Sequence, residues 1–243
     1  MQQLAYSLAQ ANEYLNHFNG RIGKTIVFKV GTGGNYFFEI AKIRAIEKLW
    51  FTLASEYNCD AKCHIISEPS KRNKTIYDYN VNMLRTTTES MSAILGGAHA
   101  ISNLTYDAIY KTESEFGERI SRNQLLILKH ESYLNKVNNP SDGSYYIETL
   151  TTQFSEKALD ILKLIEGNGG LLSMLKEGTI QRKIKETATK ELELFNQGKE
   201  VLLGTNKHPN PDDKIKNELQ KSPFLEVNVR KTLIEPIVEK RLA

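Results

Sequence analysis

The sequence has few of the residues that mark specialised classes of protein. Its 243 residues include 2 cysteines, 6 prolines and 1 tryptophan. Cys59 and Cys63 cannot form the disulfide framework of a secreted domain, so a reducing cytoplasm is the expected compartment. No stretch approaches the roughly 18 uncharged apolar residues of a membrane span, and residues 1–6 lack the basic and apolar parts of a secretory leader. We therefore expect a cytoplasmic protein that does not enter a membrane.

An excess of one charge is also missing. The 32 Lys and Arg residues nearly balance 29 Asp and Glu residues, which leaves a formal net charge of +3. This balance gives no reason to expect a nucleic acid partner. A hydrophobic share of 40% and a charged share of 25% are ordinary for a globular protein. The sequence therefore predicts one large or two small globular domains, with a core that needs no disulfides.

Strand and helix patterns alternate over the first part of the chain. The strand candidates are short β-branched or apolar runs, and the helix candidates have apolar residues at three- and four-residue steps. The predicted strands cover residues 25–30, 62–67 and 98–104, and the predicted helices cover residues 1–18, 36–57 and 78–95. Alternation at this spacing favours a parallel sheet with right-handed crossovers.

The second part of the chain is mainly helical. Helical spacing covers residues 115–134, 154–165 and 181–196. Tyr-Tyr-Ile at residues 145–147 is predicted as a short extended piece, and the polar, proline-bearing stretch after residue 206 is predicted as a linker. The resulting division is a β/α part at residues 1–110, a helical and extended segment at residues 111–205, and a linker-like segment at residues 206–243.

The turn Gly31-Thr32-Gly33-Gly34 lies between a predicted strand and a predicted helix, as phosphate-binding loops do. The dinucleotide-binding fingerprint needs a glycine where Tyr36 stands, and the Gly-Lys-Ser/Thr of a P-loop is absent. A tight strand-to-helix turn therefore explains these glycines better than a phosphate site does.

Cys59, Cys63 and His64 are too few ligands for a structural zinc site, and no second cluster completes them. Such cysteines are usually small buried hydrophobic residues. The sequence also lacks the Gly-x-Ser-x-Gly turn of α/β hydrolases. Residue patterns alone therefore predict an α/β protein without indicating an activity.

Six short motifs follow one another along the chain, and together they resemble a known family. The motifs are Asn35–Arg44, Asn82–Thr87, Gly96–Ala98, Arg119–Asn123, Asp142–Glu148 and Gly204–Lys207. Over about residues 3–207, their order and spacing are similar to the barrel domain of methylmalonyl-CoA mutase, a family of adenosylcobalamin-dependent isomerases. The resemblance implies an α/β fold with a partial TIM (β/α)8 barrel, whose strands six to eight lie within residues 1–110. A mainly helical segment would follow and pack on the barrel.

The resemblance also says what a partial barrel would leave uncovered. Strands six and eight would each have a free edge, because their neighbours, strands five and one, are not among the predicted strands. The face directed at the barrel interior is expected to carry Ile26, Phe28, Cys63 and Ile65. These open edges would favour self-association or binding to another chain.

Site residues follow from the resemblance position by position. Catalytic members of the family hold the CoA portion with Arg and Ser on strand six, where this chain has Thr25 and Val27. A Gln on strand eight is replaced by His99, whereas His64 on strand seven is retained. His64 is thus the one predicted substrate-binding residue, in the CoA region. No catalytic, cofactor-binding or metal-binding residue is predicted, and the Asp-x-His-x-x-Gly motif that binds cobalamin does not occur.

The run Ile101–Ala108 resembles the small, non-catalytic subunit of heterodimeric mutases. The implied function is structural support of the enzyme that interconverts methylmalonyl-CoA and succinyl-CoA. This chain alone would be inactive, adenosylcobalamin would bind only in the assembled enzyme, and the partner would be a large catalytic subunit. Two alternatives stay open: a catalytic CoA-mutase fragment completed by another chain, and a CoA- or nucleotide-binding α/β module that uses the turn at residues 31–34.

Overall fold

The computed structural model describes residues 1–112, 114–211 and 220. Seven helices and three strands lie within these residues. The helices are α1 (Gln2–His17), α2 (Tyr36–Glu56), α3 (Val81–Leu95), α4 (Glu115–His130), α5 (Tyr145–Gly167), α6 (Gly170–Lys176) and α7 (Thr179–Asn196), and the strands are β1 (Thr25–Thr32), β2 (Lys62–Pro69) and β3 (Ala100–Ile101). None of these helices is long and apolar enough to cross a membrane.

The three strands form one parallel sheet in the order β1-β2-β3. The β1–β2 register runs from Thr25 opposite Lys62 to Thr32 opposite Pro69. Helices α2 and α3 make the crossovers between consecutive strands. The predicted fold class is confirmed, because three parallel β/α units of the kind found in a (β/α)8 barrel are followed by a mainly helical segment.

Two helices begin at polar caps that the sequence supplies. The Asn35 side chain accepts a hydrogen bond from the Phe38 N–H at 3.4 Å at the start of α2. The Ser114 hydroxyl accepts one from the Gly117 N–H at 3.0 Å at the start of α4. Each cap satisfies one backbone donor that the first helical turn leaves without a partner.

The core lies between one face of the sheet and the helices. Phe28, Val30 and Ile65 are buried on this face, and the Phe28 ring meets the Trp50 ring of α2 edge-on, with centroids 5.7 Å apart. The Trp50 indole N–H donates to the Ala61 carbonyl oxygen at 2.9 Å. Helices α1 and α5 extend the same core with Leu4, Leu8, Leu15, Phe154 and Ala158.

The prediction of which side chains face the barrel interior is wrong, because it is shifted by one residue along each strand. Phe28 and Ile65 are 5% and 0% exposed and belong to the core that contains helix residues. Because successive side chains of a strand point to opposite faces, the other face carries the odd-numbered residues of β1 and the even-numbered residues of β2. The larger apolar side chains lie where the helices cover the sheet.

Three local predictions also need correction. Residues 145–147 are not extended but form the first turn of α5, whose buried stripe at three- and four-residue steps begins at Ile147. Strand β3 holds two residues rather than the run 98–104, although flanking hydrogen bonds from the His99 N–H to Ile65 and from the Ser102 N–H to Ser67 extend its contact with β2. Helix α4 ends at His130. Most of the predicted linker at residues 206–243 lies outside the described residues.

Candidate functional site

The sheet face opposite the helices is called the open face here. Its side chains are those of Thr25, Val27, Lys29, His64, Ile66 and Glu68. Val27 is 55% exposed, and the Lys29 ammonium lies 2.8 Å from a Glu68 carboxylate oxygen. Hydrogen bonding to that carboxylate raises the pKa of Lys29. The open face is thus a mixed polar surface.

The His64 ring lies beside that of His99, a residue just before β3 that also lines a surface cavity with Cys63 and Trp50. Their ring centroids are 5.0 Å apart, with planes tilted by 38°. The Ile65 N–H donates to His99 Nδ1 at 3.2 Å. Because Nδ1 accepts this bond, the neutral His99 ring carries its proton on Nε2. The structure therefore places His64, the predicted substrate-binding residue, beside a second histidine whose tautomer is fixed.

The turn at residues 31–34 is engaged within the protein. The Lys42 ammonium donates to the Gly31 carbonyl oxygen at 2.6 Å and pairs with the Glu39 carboxylate. Glu39 lies in the first turn of α2, where a negative side chain is favourable. This arrangement agrees with a tight strand-to-helix turn and gives no support to phosphate binding.

Cys59 and Cys63 are free thiols that line one surface cavity of about 610 Å³ beside Trp50 and Glu47. Burial, with a contribution from the negative charge of Glu47, raises the pKa of Cys63 to about 12. Cys63 is therefore a protonated, unreactive thiol near neutral pH. Among the described residues no group of three or more His, Cys, Asp or Glu side chains could hold a metal ion.

A buried ion pair at the carboxyl end of β2 escaped the sequence analysis. The Lys74 ammonium and the Glu89 carboxylate lie 2.7 Å apart, and both side chains are 1% exposed. The Asn73 side chain accepts from Lys74 at 2.7 Å and also donates to Glu89. Burial raises the pKa of Glu89, while the charge of Lys74 opposes this shift. Lys and Glu usually lie on surfaces, so no single-sequence signal would have marked this pair.

Motifs that are far apart in sequence meet in the structure. The Arg85 guanidinium donates to the Asn82 side-chain oxygen at 2.9 Å and to the Leu203 carbonyl oxygen at 2.8 Å. The Thr75 and Thr205 hydroxyls are 3.0 Å apart. The motifs Asn82–Thr87 and Gly204–Lys207 are thereby joined around the loop after β2. These contacts tie the two motifs to that loop.

Comparison with known proteins identifies the family. A family model described as methylmalonyl-CoA mutase matches residues 1–241. The chain belongs to the methylmalonyl-CoA mutase family. It is 40% identical over 220 residues to the methylmalonyl-CoA mutase small subunit of Porphyromonas gingivalis, an alignment that covers 86% of this chain and 36% of the relative.

Two further relatives show the breadth of the family. The chain is 31% identical to methylmalonyl-CoA mutase of Rhizobium meliloti, over 99% of this chain and 35% of that protein. It is 25% identical to the 2-hydroxyisobutanoyl-CoA mutase large subunit of Aquincola tertiaricarbonis, over 90% of this chain and 41% of the relative. The chain thus spans between a third and about two fifths of the length of these curated relatives.

Proposed function

We propose that this chain is a structural part of an adenosylcobalamin-dependent methylmalonyl-CoA mutase, of the small-subunit type. The likeness to a protein named as a small subunit supports this assignment. The observation that carries it is the open face of the sheet. Radical chemistry needs a site from which water is excluded. Three strands whose second face lies open among the described residues do not enclose a substrate. The chain therefore supports a catalytic subunit and does not itself convert methylmalonyl-CoA.

The outer edge of β1 is the proposed attachment point for a neighbouring strand. The Lys24 and Thr32 carbonyl oxygens accept bonds from the Lys62 and Ser70 N–H groups, so the even-numbered residues of β1 direct their backbone groups toward β2. The N–H and C=O groups of the odd-numbered residues consequently point away from β2. Apart from the Gly31 carbonyl oxygen, which accepts from Lys42, such edge groups of the described residues offer a template for pairing with another chain. We propose that the large subunit, or a second copy of this chain, pairs there.

The Asp-x-His-x-x-Gly motif that binds cobalamin does not occur in the sequence, and His99 is not arranged as a metal ligand. A histidine that binds a metal directs one ring nitrogen to it, while its other ring nitrogen usually donates to a carboxylate, a carbonyl or water. His99 instead accepts a backbone hydrogen bond at Nδ1, and His64 lies against the His99 ring. We therefore propose that the cofactor is held by other parts of the assembled enzyme.

His64 remains the proposed contact for the CoA portion of the substrate, and a weak one. Thr25 and Val27 stand where catalytic members carry Arg and Ser, so neither position offers a guanidinium to the CoA phosphates. Lys29 of the same face is engaged by Glu68. The free thiols of Cys59 and Cys63 agree with the proposed cytoplasmic location.

The proposed role is tested by comparing this chain alone with the chain co-expressed with the matching large mutase subunit. Adenosylcobalamin is titrated while its visible spectrum is recorded, and formation of succinyl-CoA from methylmalonyl-CoA is measured. The chain alone is expected to give no saturable spectral change and no product, whereas the complex is expected to give both. A saturable change at micromolar cofactor, or turnover by the chain alone, would show that the assignment is wrong.

A further inference from the structure

The outward side of α4 is exposed in the part of the chain that the structure describes. Its inward residues Gly117, Ser121, Gln124 and Leu128 are buried, and the Gln124 side-chain amide donates to α3 at the Thr86 and Thr87 hydroxyls. We define the α4 outer face as Phe116, Arg119, Asn123, Leu126, Ile127 and His130. Among these, Phe116, Leu126 and Ile127 are 47%, 44% and 45% exposed.

The spacing of the α4 outer face is that of a helix-packing seam. Residues 116, 119, 123, 126 and 130 follow one another at alternating three- and four-residue steps. This repeat places side chains along one line of a helix, as in the seams by which helices pair. A partner helix laid along this line would cover the three exposed apolar side chains together.

Positive side chains lie on and beside the seam. Arg119, Arg122 and Lys129 are exposed, and none of them forms an ion pair with another residue that the structure describes. The Arg119 guanidinium lies over the Phe116 ring, 5.4 Å from its centroid. The acidic residues of α4, Glu115 and Glu118, are in its first turn, where they complement the helix dipole.

We propose that the α4 outer face binds an amphipathic helix of a second polypeptide that carries acidic residues beside its apolar stripe. Apolar contact with Phe116, Leu126 and Ile127 provides the buried centre of such an interface. Carboxylates of the partner helix pair with Arg122 and Lys129 at its border, where charge fixes the partner and its orientation. This surface is separate from the β1 edge. The proposal rests on the exposed apolar and positive side chains of α4, so it does not depend on the proposed mutase role.

The test uses two synthetic helical peptides of about three heptads, labelled with fluorescein. Both carry Leu at positions a and d of each heptad. The flanking positions e and g are Glu in one peptide and Lys in the other. Fluorescence anisotropy is measured with the full chain. The Glu peptide is expected to bind at least tenfold more tightly than the Lys peptide, and its affinity should fall as salt is raised, because border charges are screened.

Charge reversal in the protein completes the test. The variant Arg122→Glu/Lys129→Glu is expected to reverse the preference, so that the Lys peptide binds more tightly. The control Lys157→Glu/Lys163→Glu makes the same change in net charge on exposed positions of α5 and should keep the original preference. Circular dichroism checks that each variant is folded. Equal binding of the two peptides, or the same effect in the control, would overturn the proposal. So would a dimer of this chain that the Glu peptide dissociates, since a second copy would then occupy the face.

Discussion

Arg44 of α2 forms an ion pair with Glu148 in the first turn of α5. The same guanidinium reaches Asp142 in the preceding turn, and the Lys48 ammonium lies 3.3 Å from the second Glu148 carboxylate oxygen. The Arg44 side chain is 11% exposed. The link joins two of the motifs that carry the family resemblance, and it fixes where α5 starts against α2.

Replacement of Arg44 by glutamine should destabilise the protein by about 1–2 kcal/mol, because hydrogen bonds to charged groups contribute about that much and the partners are partly screened by solvent. Urea unfolding followed by circular dichroism measures the change. Lys48→Gln is the matched control and should cost well under 1 kcal/mol, since Lys48 is exposed and makes a longer contact. Equal effects of the two changes would contradict this account of the Arg44 link.

The same link should make stability depend on pH in the acid range. Burial acts to raise the pKa of Glu148, but Arg44, the Gly143 N–H and Lys48 together lower it below its ordinary value. A lowered pKa contributes stability that is present above the ordinary pKa of about 4.3 and is lost as pH falls through the folded-state value. Arg44→Gln should therefore lose less stability than the wild type between about pH 5 and pH 3. If the free energy of unfolding fell equally with pH in both proteins, this account of the Arg44–Glu148 pair would be wrong.

The Lys74–Glu89 pair should be far more sensitive to the loss of one partner. Glu89→Gln leaves the Lys74 ammonium buried without its counter-charge, so we expect a loss of about 3–5 kcal/mol. The double variant Lys74→Met/Glu89→Leu should recover most of this, because it leaves no buried charge. Lys183→Gln breaks an exposed pair, Lys183–Glu186, and serves as the control. Thermal unfolding that shows Glu89→Gln to be no worse than the control would contradict the burial of this pair.

Replacement of His64 by alanine should change stability more than CoA affinity. The variant removes the contact with the His99 ring, and such a change costs about 1 kcal/mol. CoA affinity should be weak before and after the change, because Thr25 and Val27 offer no guanidinium to the phosphates. Isothermal calorimetry with CoA measures this directly. If CoA bound with a submillimolar dissociation constant and this binding were lost in His64→Ala, the prediction would be wrong and His64 would be a substrate-binding residue.

Periodicity predicted the elements better than it predicted their orientation. The short β-branched and apolar runs locate β1 and β2, but they do not say which face the helices cover. The structure settles this with Phe28 and Ile65, which are buried among helix residues. Tyr145 and Tyr146 have strand-forming side chains, yet they start α5 because Ile147 begins its buried stripe. Tyr145 is itself 92% exposed. Its conformation is therefore decided by the packing of the α5 residues that follow it, and not by its own β propensity.

The polar contacts of the candidate site were less predictable than the fold. The resemblance named His64 and His99 separately, but only the sheet register brings their rings together, since Ile65 follows His64 and bonds to His99. Lys74 and Glu89 are separated by a loop and most of α3, so nothing in their spacing marks them as partners. Such pairs depend on the tertiary path of the chain.

The outer edge of β1 should control association. We expect a dimer or larger assembly at low micromolar concentration, measured by light scattering, because the described part of the chain leaves the β1 edge and the open face uncovered. Val27→Pro removes an N–H that points away from β2, so it should weaken association and leave the β1–β2 ladder intact. Val27→Thr keeps the N–H and is the matched control. A wild-type chain that is a stable monomer, or a Val27→Pro variant that associates as the control does, would show that β1 is not the pairing edge.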